Sequence, residues 1–150
     1  MEQQQYSTSM LTEVLQSADM HDIRRYQDQY IQSGPAAFAA YMDEMILKKG
    51  LKRQEVFQRA DIPQKYGYKL LTGESHTNDR DKLLRLFFAM GLSLKEVRRA
   101  LELYEMPGLY PKIKRDAIFM IAFNRGYASV DEVNKILAEN GERELSRSRD

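Results

Sequence analysis

The sequence has no cysteine, no tryptophan, four prolines and two histidines. Without cysteine there is no disulfide framework and no thiolate metal ligand. His21 and His76 lie far apart in the chain, so zinc-ligand spacing is absent and no metal or other cofactor is expected. No apolar stretch approaches the roughly 20 residues that span a bilayer. The start, MEQQQYSTSM, carries neither the basic head nor the apolar run of a secretory leader. The expectation is a cytoplasmic protein with no membrane partner. Nucleophile-elbow, Ser-His-Asp and phosphate-loop spacings are also missing, and we expect no enzyme.

Strand signals are scarce. No run alternates apolar and polar residues for long, and no Asn-Gly or Asp-Gly hairpin turn occurs. What is present is helical periodicity in a chain that is 43% hydrophobic, enough for a packed core. The fold class read from this pattern is all-α.

The net charge of +1 hides a segregation. Residues 1–44 hold 2 basic and 7 acidic side chains, residues 45–100 hold 13 and 6, and residues 101–150 hold 8 and 9. The basic excess lies in the middle third, where a polyanion would bind; a solvated surface would account for it equally well.

Punctuation divides the chain into seven to nine short helices. Met10, Leu11, Val14 and Leu15, then Ile23, Tyr26 and Tyr30, suggest one broken or two short helices over 8–32, turning near Asp19. Gly34-Pro35 ends that segment. A helix over 36–49 turns Phe38, Met42, Met45 and Ile46 inward and stops at Gly50. Helix 52–60 follows, then a turn at Asp61-Ile62 and a helix from Pro63 to about Leu71, closed by Thr72-Gly73. Asn78 is placed to cap a helix with Leu83, Leu84, Leu86, Phe87 and Met90 inward, ending at Gly91. Ser93-Leu-Lys-Glu96 reads as a capping box before Val97, Ala100, Leu101 and Tyr104. After Pro107-Gly108, residues 112–125 give an apolar helix with Ile113, Ile118, Phe119, Ile121 and Ala122 inward. A second box, Ser129-Val-Asp-Glu132, opens the last helix with Val133, Ile136 and Leu137. The tail from Arg143 is expected to fray. The organisation expected is an N-terminal helical extension (1–34), a central domain (35–106), a C-terminal helical hairpin packed on it (107–145) and a tail (146–150).

Leu51 to Gly73 spaces a helix of about nine residues, a turn of about three and another helix of about nine ending in Thr-Gly, before the leucine-rich segment from Asp81 to Ser93. Here the chain resembles the phage-repressor-like (Cro/CI, XRE-type) helix-turn-helix family. Leu51, Val56, Ile62 and Leu70 fall where that family buries apolar residues, and Leu84, Leu86 and Gly91-Leu92-Ser93 match its next helix. Tyr66-Gly-Tyr, Arg80-Asp81-Lys82, Pro107-Gly-Leu-Tyr110-Pro and Arg115-Asp116-Ala are similar to a Firmicutes group of XRE-type regulators. The resemblance implies a lambda-repressor-like five-helix domain over about 36–105 and a transcriptional regulator that binds double-stranded DNA, expected as a dimer. The helix from Pro63 would enter the major groove, with Gln64, Lys65, Tyr68 and Lys69 facing bases. Lys52 and Arg53 would hold phosphate, with Lys48 and Lys49 as helpers.

Three positions depart from the family pattern. Phe57 stands where a small residue is usual, Asp61 where glycine is frequent, and Gly67 where a β-branched residue is usual. An aromatic ring of Tyr66-Gly67-Tyr68 is one way to fill the space. These departures motivate a different function: a protein-interaction module that keeps the fold without its DNA contacts. Tyr66 and Tyr68 fit either the core or a nucleic-acid surface. The stripe Met10, Leu11, Val14 and Leu15 suits a dimer or partner interface as well as the chain's own core. Asp79 and Asp81 around Arg80, and Arg115-Asp116, are read as ion pairs that stabilise helix starts and the turn near Tyr110.

Overall fold

A computed structural model describes residues 7–23 and 33–147. The chain separates into two compact units, Met1–Gln32 and Ser33–Asp150. The described residues form eight α-helices and no strand.

In the first unit, α1 spans Thr8–Gln16, and Ser7 caps it by accepting from the Met10 amide. A 3-10 turn follows at Met20–Asp22, so the chain does bend at Asp19. Met10, Leu11 and Val14 are half-buried and Leu15 is exposed. Tyr26 and Tyr30 lie outside the described residues.

The second unit holds α2 (Pro35–Lys48), α3 (Arg53–Ala60), α4 (Gln64–Thr72), α5 (Arg80–Met90), α6 (Leu94–Tyr104), α7 (Lys114–Asn124) and α8 (Val130–Glu139). Helix α5 is the axis: it is buried from Leu83 to Met90, with α3 and α8 packed on it. Helix α2 packs on α4 and α6, and α7 joins α6 to α8. Phe38, Met42, Phe87, Phe88, Leu101 and Phe119 are fully enclosed. One continuous apolar core therefore runs from α2 to α8 and on to Leu145.

Local chemistry explains the boundaries. Ser93 and Glu96 close a reciprocal box at 3.2 and 2.8 Å. Ser129 accepts from the Glu132 amide without a return bond, so the second box is half-formed. The cap of α5 is Asp79, not Asn78: Asp79 Oδ1 accepts from the Asp81 amide, and Thr77 Oγ1 fixes the Asp79 amide. Gly73 is required twice over. Its φ is +80°, and a Cβ there would sit 2.8 Å from Pro35 Cβ.

Two expectations change. Ile113 and Ile121 point outward, because α7 buries the stripe Asp116, Phe119, Ala122 and Phe123 instead. The C-terminal segment does not fray at Arg143: Leu145 is buried, and Ser146 is hydrogen-bonded through its backbone and hydroxyl.

Candidate functional site

Helices α3 and α4 meet through the turn Asp61-Ile62-Pro63. Asp61 takes the left-handed conformation at φ 54°, which aspartate tolerates better than most side chains. The Ile62 amide reaches back to the Phe57 carbonyl at 3.0 Å, and Ile62 drops into the core. This six-residue closure stops α3 and aims the chain into α4.

The two helices cross at a large-small pair. Phe57 is buried, and a Cβ at position 67 would lie 2.4 Å from its Cδ1. The ring of Phe57 occupies the volume that a side chain at 67 would need. Two departures that looked independent in the sequence are one complementary exchange. The ring that fills the space is that of Phe57 rather than of Tyr66 or Tyr68. Tyr66 is half-buried against the core, with Lys82 Nζ 5.1 Å from its ring centre, whereas Tyr68 is exposed.

At about 100° per residue, α4 buries Gly67, Leu70 and Leu71 on one side and turns Gln64, Lys65, Tyr68 and Thr72 outward, with Lys69 half-exposed at the edge. Sequence reasoning missed Thr72, although it stands one turn after Tyr68 on that arc. No acidic residue lies in the first turn of α4, and Pro63 provides no side-chain cap. The amides of Gln64, Lys65 and Tyr66 find no acceptor among the described residues, since the first helical bond is made by Gly67 to Pro63. Helix α3 also begins without a side-chain cap, at the exposed Lys52. By contrast α5, α6 and α8 are all capped by side chains.

Of the 13 basic residues of the middle third, Arg99 pairs with Glu102 at 2.9 Å and Lys82 lies against the Tyr66 ring; the other 11 divide into three sets. Lys48 and Lys49 pair with Glu96 across to α6, at 3.9 and 3.0 Å, and Arg53 is held by Asp43 of α2. These three of the expected phosphate contacts are therefore already engaged by carboxylates. Arg80 and Arg85 are committed to the interior, as described below. Lys52, Arg59, Lys65, Lys69, Lys95 and Arg98 have no carboxylate partner among the described residues. Arg59, exposed in the last turn of α3, is a cation that sequence reasoning did not single out.

Beside this open face lies a closed one. Arg80 grips Asp116 through its two terminal nitrogens, and Arg115 grips Asp81 at 3.0 and 2.8 Å, so the Arg80-Asp81 and Arg115-Asp116 steps pair crosswise. Asp116 also accepts from the Tyr110 amide at 2.9 Å, fixing the turn before α7. Arg115 continues to the carbonyls of Arg143 and Glu144. Arg85, 3% exposed, donates to the carbonyls of Ala60, Leu145 and Ser146. It thereby closes the end of α3 and pins the C-terminal strand of chain in the same step. Burial raises the affinity of Asp81 for its proton, but Arg115 and the Ser146 amide more than offset this and hold the carboxyl below its ordinary range. Burial, helped by the like charge of Arg147, lowers the pKa of Arg85 against the opposing pull of Asp61, Asp81 and Asp131.

No helix among the described residues is long and apolar enough to cross a membrane. Asp19, His21 and Asp22 approach one another at the surface of the first unit, and Asp22 is already used to cap the 3-10 turn there. No protein-family model, curated protein or solved structure matches the chain.

Proposed function

We propose that this chain is a DNA-binding transcriptional regulator of the phage-repressor type, whose helices α2 to α6 form the five-helix unit and whose α4 enters the major groove. The observation that carries the reading is the outer arc of α4. It combines an uncapped helix start, two lysines without carboxylate partners among the described residues, and the exposed Gln64 and Tyr68. Free amides and a positive helix end attract phosphate. Gln64 suits adenine, and Lys65 and Lys69 suit guanine. Lys52 and Arg59 supply phosphate contacts; Arg53 serves in that role only by leaving Asp43. No reacting group is needed for this function, and none is assigned.

The alternative, a protein-interaction module on the same fold, draws on the Phe57–Gly67 pair, in which a bulky ring stands against glycine where the two helices meet. Selection from a random duplex pool separates the two. Enrichment of one sequence, abolished by Lys65→Glu with Lys69→Glu, supports the regulator. No enrichment together with no retention at low salt supports the interaction module.

A further inference from the structure

Helix α7 has a second apolar face that no described residue of the Ser33–Asp150 unit covers. Among the described residues of the Ser33–Asp150 unit, five large apolar side chains stand exposed, and three of them, Tyr110, Ile113 and Ile121, lie in one short stretch. Ile121, 57% exposed, points directly away from the buried stripe of α7 at about 100° per residue. Half-exposed Ala117 and Ile118 flank it, and Ile113 sits a turn before Ala117, whose amide donates to the Ile113 carbonyl at 2.8 Å. A surface helix normally shows one apolar stripe; an outward stripe as apolar as the inward one marks an interaction face.

Along α7 and its approach, residues 110–127, the exposed charge has one sign. Lys112, Lys114 and Arg125 are exposed and rim this face, and none has a carboxylate partner among the described residues. Lys114 donates only to the Asn140 carbonyl. The one acid between Tyr110 and Tyr127 is Asp116, buried on the opposite side and occupied by Arg80. We propose that the outer face of α7 docks an acidic amphipathic helix of a partner protein, with Ile121 as the central anchor. Apolar residues at i, i+3, i+4 and i+7 of that helix would cover Ile113, Ala117 and Ile121, and its flanking carboxylates would meet the basic rim. A second copy of α7 fits poorly, because its rim carries the same charge. A DNA backbone would match the rim but leave the isoleucines against phosphate and water.

The test uses the full chain and two labelled synthetic helical peptides, each with leucine at i, i+3, i+4 and i+7, one flanked by glutamate and the other by lysine. The glutamate peptide is expected to bind, and the lysine peptide about tenfold or more weaker. Ile121→Asp is expected to weaken the glutamate peptide by about tenfold or more, and Ile121→Ala by less. Lys112→Glu with Arg125→Glu should reverse the preference. All three positions are exposed, so unchanged thermal melting of the variants excludes misfolding as the cause. Equal binding of both peptides, binding of neither, or a dimer in sedimentation that Ile121→Asp dissolves would overturn the proposal.

Discussion

The α3–α4 face and the ground between α5, α7 and the C-terminal segment are built from the same residue types, used in opposite ways. On the first, Lys52, Arg59, Lys65 and Lys69 have no carboxylate partner among the described residues, only Arg53 is held by one, and the helix starts carry no side-chain cap. On the second, Arg80, Arg85 and Arg115 spend most of their donors on Asp116, Asp81 and backbone carbonyls, and Asp79 caps α5, although α7 starts without a side-chain cap. A charge that has been satisfied inside the protein holds structure; one left in solvent is available to a ligand. Counting basic residues along the sequence does not distinguish these roles, and the partners do.

Breaking the closed region should cost most. Asp81→Ala leaves Arg115 with an uncompensated charge in a site 11% exposed. We expect a loss of about 3–5 kcal/mol in denaturant unfolding. Ending the chain after Glu144 removes buried Leu145 and two of the three acceptors of Arg85. The expected loss is about 3 kcal/mol, read as a lower midpoint of unfolding. A truncation that leaves stability unchanged would show that the strap is ornamental.

Gly67→Val tests the joint between α3 and α4 on the open face. Its Cβ would meet the Phe57 ring, so we expect destabilisation of about 2–3 kcal/mol, recovered in part by adding Phe57→Ala. Recovery would establish that positions 57 and 67 act as one pair.

Acid should act on the closed region and on the capping box of α6. The folded pKa of Asp81 is depressed, as is that of Glu96, where burial is outweighed by the Ser93 amide and Lys49. Such groups stabilise the fold above their unfolded pKa, and that contribution disappears as pH falls through the lower folded value. Stability should hold at pH 5 and fall below about pH 4, less steeply in Asp81→Ala.

How much of this was legible beforehand follows from distance along the chain. The short-range signals worked: the Ser93–Glu96 box, the Gly34-Pro35 break, and the inward sets of α2, α5 and α6 depend on neighbours within a turn or two. The Asn78 cap failed by one residue because Thr77 and Asp79 both offer oxygens there. The role of Arg85 was invisible, since its acceptors at Ala60, Leu145 and Ser146 are distant in sequence and are backbone atoms without a residue signature. The same holds for Lys48, Lys49 and Arg53, whose carboxylate partners arrive from other helices. Ile113 and Ile121 were misread because α7 is apolar on both sides, so periodicity could not choose the inner one.

Changes on the open face should be the mildest for the fold. Lys65→Glu with Lys69→Glu should alter stability by no more than about 0.5 kcal/mol, because neither lysine has a carboxylate partner among the described residues. The most direct measurement of the central claim is therefore fluorescence anisotropy of the chain with duplex DNA across a salt series, for the wild type and this double variant. The account predicts wild-type binding that weakens steeply with salt and is lost in an equally stable variant. Wild-type binding that the variant retains, or no wild-type binding at low salt, would contradict it.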